Sequence, residues 1–167
     1  MSYMNSIDKV NKLNKSDFIS IFGNVFEKTE WIAQKSYDSK PYKNFEELFS
    51  KMIEVFENIE KEKHLEILNA HPNLAVEKKL TIDSKNEQKN ASLNQCTNEE
   101  FLEFKKLNEE YKKKFGFPFI TAVKGKNKEE ILNSFRQRIA NNINLEFIEA
   151  KKQVKKIAIF RLSEIIK

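Results

Sequence analysis

Residues that stop a helix are scarce in this chain: three glycines and three prolines serve 167 residues. Apolar side chains recur at the 3.6-residue spacing of a helix face from one end to the other, and strand-like alternation is almost absent. The expectation is an all-α fold, a single-domain multi-helix bundle over residues 1–167. Because breakers are rare, their placement is informative. Two of the six, Gly116 and Pro118, fall together in Lys114-Phe115-Gly116-Phe117-Pro118-Phe119-Ile120, and Pro72 sits in His71-Pro72-Asn73-Leu74-Ala75. Proline forbids the next helical turn and pushes the preceding residue toward extended backbone, so His71 and Phe117 leave regular helix with fixed geometry. A short extended Phe-Pro-Phe segment is therefore expected.

Capping signals place the helices. Ser16 or Asp17 can open one carrying Phe18, Ile21, Phe22 and Val25, and a short one covers Trp31 to Ser36 before a turn at Pro41. Asn44 reads as the N-cap of a longer helix with Phe45, Leu48, Phe49, Met52, Ile53 and Phe56 on one broad face. A helix over Glu62 to Asn69 must end at His71-Pro72. Thr97-Asn98-Glu99-Glu100 forms a capping box for a helix that carries Phe101, Phe104, Leu107 and Tyr111 and stops at Gly116. Asn127 starts another with Ile131, Leu132, Phe135 and Ile139, and a last helix runs from about Leu145 to Ile165.

The net charge of +5 and pI near 9.1 raise the question of nucleic acid. Lysines, however, alternate with glutamates, as in Glu57-Asn58-Ile59-Glu60-Lys61-Glu62-Lys63, which reads as a solvated face rather than a phosphate track. Cys96 stands alone, which excludes an intramolecular disulfide and a multi-cysteine zinc site. No run approaches the ~20 apolar residues of a membrane span, and Met1 to Asp8 hold no basic start followed by an apolar run. The expectation is no nucleic acid, no membrane and a cytoplasmic setting.

Three groups could carry chemistry. His71 bears the side chain that exchanges protons near neutral pH, and the alternative is a helix-ending histidine that caps a carbonyl or packs on Pro72. In Ser84-Lys85-Asn86-Glu87-Gln88 a carboxylate is available, but serine followed three residues later by glutamate is also a capping box. Arg161 shares the apolar face of the last helix with Val154, Ala158 and Ile165, so its guanidinium must snorkel, pair with an internal carboxylate or receive an anion. Arg136 and Arg138 stand out less, and His64, in a charged helix, is given no role. The segment from Lys114 to Ala122 supplies no proton-transfer group. Its amides and carbonyls can grip a flat, amide-rich ligand with Phe117 or Phe119 as a wall, unless it is a buried aromatic connector.

Taken in order, these fragments resemble the 2-oxo-4-hydroxy-4-carboxy-5-ureidoimidazoline (OHCU) decarboxylase family, the last enzyme of the route from urate to allantoin. The resemblance runs from about Phe18 to Leu162. It includes Val25-Phe26-Glu27 with Trp31-Ile32-Ala33, the His71 to Ala75 stretch, Ser84 with Glu87-Gln88, Leu107-Asn108 with Tyr111, Lys114 to Ile120, and Val154 with Lys156-Ile157-Ala158 and Arg161-Leu162. It implies an all-α, homodimeric decarboxylase that acts on a small molecule without metal or cofactor. It further implies His71 and Glu87 as catalytic residues, with substrate held by Pro72, Ser84, Lys85, Asn86, Gln88, Phe119, Ile120, Thr121, Ala122 and Arg161. Three features depart from the family pattern: a shorter connector between His71 and Ser84, Val76 where glycine is usual, and Ser92 for the glycine of the common Ala-Gly-Leu. The residues alone leave open a non-enzymatic helical interaction or nucleic-acid-binding module, and a decarboxylase of a related ureido acid.

Overall fold

The computed structural model describes residues 4–77 and 79–167, among which there are nine α-helices, one 3-10 turn and no strand. The reading of the first residues falls partly on Met1 to Tyr3, outside the described residues. The all-helical expectation agrees with the structure, whose contacts cluster into two compact units: Met1–Ala70 with Lys155–Lys167, and His71–Val154.

The first unit holds α1 (Ile7–Asn11), α2 (Lys15–Phe22), α3 (Glu30–Tyr37), α4 (Phe45–Glu57), α5 (Lys61–Ala70) and the C-terminal part of α9 (Ile143–Ile165). Its helices start where short polar side chains can accept orphan amides. Asn14 caps α2 by accepting from the Asp17 amide at 2.8 Å, which moves the start upstream of the expected Ser16 or Asp17. Asn44 caps α4 by accepting from Glu47, as expected. α2 packs on α3 and α3 on α4, burying Phe18, Phe22, Ile32, Leu48, Met52 and Phe56. At Gly23, the C-cap of α2, an added Cβ would stand 2.4 Å from the Ile19 carbonyl oxygen of the same helix and 3.2 Å from Glu30 Cγ at the start of α3. His64 is not solvated: it is buried, with Nε2 2.8 Å from the Phe56 carbonyl and its ring edge-on to Phe56. Its partner lies two turns back in another helix, which a charged local sequence hides.

The second unit holds α6 (Ile82–Asn90), the 3-10 turn Leu93–Gln95, α7 (Asn98–Phe115), α8 (Lys128–Arg138) and the first part of α9. Thr97 and Glu100 form the expected capping box, and Gly116 ends α7 in the left-handed conformation at φ 80°. Asn127 caps α8 as expected. Phe104, Leu107, Tyr111, Ile131, Leu132 and Phe135 form the core of this unit, whereas Phe101 is 41% exposed.

Ser92 has φ 61° and ψ 22°, a left-handed backbone that glycine enters freely and serine enters at a cost. That cost is ~1–2 kcal/mol for an L-residue, and glycine's extra freedom when unfolded takes back ~0.5–1 kcal/mol. Ser92→Gly is expected to stabilise the protein by ~0.5–1 kcal/mol, read as a rise of a few degrees in melting temperature. A fall would mean that the serine side chain holds more than the strain costs. Besides Ser92, the non-glycine residue in the left-handed region among the described residues of this unit is Ala75, at φ 69°, rather than Val76.

Candidate active site

α5 ends at Ala70, so His71 and Pro72 begin non-helical backbone, as the proline requires. His71 is 8% exposed. The turn that follows is tied down from two helices. The Ala75 amide donates to Gln88 Oε1 of α6 at 3.0 Å, and Asn108 of α7 donates from Nδ2 to the Leu74 carbonyl at 3.0 Å. The left-handed backbone at Ala75 turns its amide toward Gln88, and that bond fixes the flip of the Gln88 side chain. With the oxygen turned to Ala75, the Nε2 hydrogens point the other way as donors for another ligand.

The start of α6 corrects the capping-box alternative for Ser84 and Glu87. Thr81, three residues earlier, is the N-cap: its backbone is extended and its side chain accepts from the Ser84 amide at 3.2 Å. Ser84 is therefore the third residue inside the helix, and Glu87 lies a turn beyond the position that a capping glutamate occupies. Ser84 and Gln88, four apart, share the buried face of α6; Glu87 is half-buried, while Lys85 and Asn86 are exposed.

After Gly116 the chain runs without regular structure through Val123. Phe117 and Phe119 are buried at 1% and 0% exposure. Phe119 stacks on Phe135 with ring centroids 3.9 Å apart and meets Tyr111 edge-on at 5.5 Å. Neither ring is a ligand wall, because both are spent on the core; any hold this segment has on a ligand is through backbone. That backbone is itself pinned. Arg138 donates from Nη1 to the Ile120 carbonyl at 2.7 Å, and the Ala122 amide donates to Gln153 Oε1 at 2.9 Å.

Arg138 belongs to a buried polar cluster that the sequence reading passed over. Its Nε donates to Glu146 Oε1 at 2.9 Å, Tyr111 donates its hydroxyl to the same oxygen at 2.5 Å, and Asn141 donates to Oε2 at 3.0 Å. Glu146 is fully buried. Burial first, and the bond to Glu146 second, push the Tyr111 phenol well above its ordinary range, so it stays a donor at any working pH.

Within the first unit, Arg161 takes the second of its three predicted options. It donates from Nη2 to Glu27 Oε2 at 2.9 Å and from Nη1 to the Asn24 carbonyl at 2.7 Å, and both charged side chains are buried. Asn24 also lines a surface groove of about 730 Å³ with Ser20, Lys28, Glu30, Trp31 and Gln34, which none of the predicted site residues borders. Among the described residues, no group of three or more His, Cys, Asp or Glu side chains is placed to hold a metal ion, and no helix is long and apolar enough to cross a membrane.

The profile of the family described as OHCU decarboxylase matches residues 11–163. The uric acid degradation bifunctional protein of Bacillus sp. (strain TB-90) is 40% identical over 164 residues, which make up 98% of this chain and 33% of that protein. The chain thus spans a third of that relative. It spans nearly all of the 2-oxo-4-hydroxy-4-carboxy-5-ureidoimidazoline decarboxylase of Haloferax volcanii, which is 35% identical over 159 residues, 95% of each protein. Among solved structures, the crystal structure of (S)-allantoin synthase is similar with a TM-score of 0.80 and 25% identity, over 97% of this chain and 54% of that one. That of OHCU decarboxylase in the presence of (S)-allantoin shares the fold, with a TM-score of 0.72 and 22% identity over 92% and 99%. A family profile across almost the whole chain, and a relative of matching length at 35% identity, place this chain in the OHCU decarboxylase family.

Proposed function

We propose that this chain decarboxylates OHCU to (S)-allantoin, the last step from urate to allantoin, without a cofactor. The observation that carries the assignment of roles is the opening of α6 at Thr81, which removes Glu87 from capping duty while Gln88 reaches the turn just beyond His71.

The substrate carries a carboxylate and a hydroxyl on one ring carbon, beside a carbon–nitrogen double bond. When carbon dioxide leaves, its bonding pair becomes a carbon–carbon double bond to the neighbouring carbon, and the former carbon–nitrogen pair moves onto nitrogen, which takes a proton. The hydroxyl then loses its proton as the product carbonyl forms, and the neighbouring carbon gains one. In our reading, Glu87 and His71 handle the hydroxyl proton and the proton delivered to carbon, and delivery from one face yields a single enantiomer. Gln88 donates to a ureido or ring carbonyl, Ser84 and Pro72 border the ligand, and backbone of Phe119, Ile120, Thr121 and Ala122 orients its amides. Lys85 and Asn86, both exposed, contribute through backbone at most. Arg161 receives the substrate's anion, its plane set by Glu27.

The proposal includes a cytoplasmic homodimer; Ile143, Leu145 and Ile148 of α9 are exposed at 54%, 53% and 59%, which suits a second copy. The test of the activity is to add the protein to freshly generated OHCU and follow carbon dioxide release against the spontaneous background. Release that rises in proportion to protein supports the assignment, and release at the background rate overturns it.

A further inference from the structure

The buried cluster at the end of α8 is more than ballast in the core. An arginine and a fully buried glutamate are poor stabilisers, since an apolar pair of the same volume does as well or better. This cluster is worse than usual in that respect: among the described residues, Arg138 Nη2 is buried with no hydrogen-bond partner. What the cluster delivers is geometry. Glu146 fixes Nε of Arg138, Tyr111 and Asn141 fix Glu146, and the guanidinium lies 4.4 Å from the centroid of the Phe119 ring. The remaining bond, from Nη1, grips the Ile120 carbonyl. Two residues on, Gln153 accepts from the Ala122 amide while its own Nε2 is held by Glu149 at 2.8 Å. Irregular backbone that no helix or sheet supports is thereby pinned on both sides of Thr121.

We propose that Arg138, held by Glu146 and Tyr111, is a positioning residue for the decarboxylation: it sets the Phe119 to Ala122 backbone in the orientation that grips the substrate's amides. The inference rests on the reading of that segment as part of the substrate site. Arg138 touches no reacting atom and acts through the Ile120 carbonyl. Misplacing a positioning group by an ångström costs on the order of 100-fold in rate.

The test uses Tyr111→Phe, which removes one oxygen and leaves the ring in place, and Arg138→Lys, which keeps the charge but not the planar fork. Arg136→Lys, in the exposed pair with Glu103, is the control. Each is assayed on OHCU well below its melting temperature, with amide hydrogen exchange measured over residues 119–122. The expected result is a kcat lower by roughly 10–100-fold in both cluster variants, KM changed far less, faster exchange over that segment, and a control like wild type. Wild-type kcat in Tyr111→Phe overturns the inference, and so does a rate loss that only tracks the folded fraction; should Arg138→Lys not fold, Tyr111→Phe decides alone. Wild-type protein with no turnover above background sinks the functional reading and this inference with it, whereas active wild type with unaffected variants sinks the inference alone.

Discussion

His71→Asn and Glu87→Gln are each expected to lower turnover by on the order of 100-fold or more, with folding nearly intact. The expectation for folding comes from local structure. His71 follows the last residue of α5 rather than lying inside it, and Glu87 is half-buried and outside the capping turn of α6. Both exchanges keep a polar side chain in place, and neither touches the Thr81 cap of α6, so melting temperatures should stay within a few degrees of wild type. The expectation for rate comes from chemistry: asparagine cannot relay a proton, and glutamine keeps the shape of glutamate without its basicity. Circular dichroism and single-turnover assays check both halves. Glu87→Gln with wild-type rates would remove Glu87 from the mechanism, and a collapse of folding in either variant would mean that its role is structural.

Arg161→Met is expected to destabilise the fold by ~3–5 kcal/mol, because it leaves the buried Glu27 carboxylate without its cation. For a chain of this length that is a fall of roughly 10 °C in melting temperature. The loss of activity that follows is ambiguous alone. Adding Glu27→Leu removes the stranded charge, and since apolar pairs replace buried ion pairs at little cost, stability should largely return. If Arg161 also binds the substrate's anion, catalytic efficiency stays low in the double variant. Activity that returns together with stability makes the arginine structural, and the anion is then held elsewhere.

Much of this was legible in the sequence where the cause is local. Asn44, Thr97, Gly116 and Asn127 act as helix boundaries through side chains or backbone within a few residues of themselves, and the structure places each where its type demands. Ser84 misled because two capping candidates lie three residues apart, and Thr81 takes the position. The five-residue α1 was missed because it is too short to show a period. The Arg138, Glu146 and Tyr111 cluster is non-local: Tyr111 and Glu146 are 35 residues apart. One signal was nevertheless present. The apolar face that marks Arg161, with Val154, Ala158 and Ile165, continues backward in steps of four through Ala150 to Glu146, so the same periodicity that flags the arginine flags the carboxylate. Nothing comparable marks Glu27 as the partner of Arg161, since the ion pair joins residues 134 apart in the chain.

The most direct test is the handedness of the product. OHCU decays spontaneously without a chiral influence, so allantoin formed in buffer is racemic, whereas protonation by groups fixed on one side of the ring gives one enantiomer. Freshly generated OHCU should be followed by circular dichroism with and without the protein, with the uncatalysed reaction subtracted. The account predicts optically active (S)-allantoin, formed at a rate proportional to protein concentration and lost in His71→Asn. Racemic allantoin at the spontaneous rate, or an optical signal unchanged in His71→Asn, would contradict it.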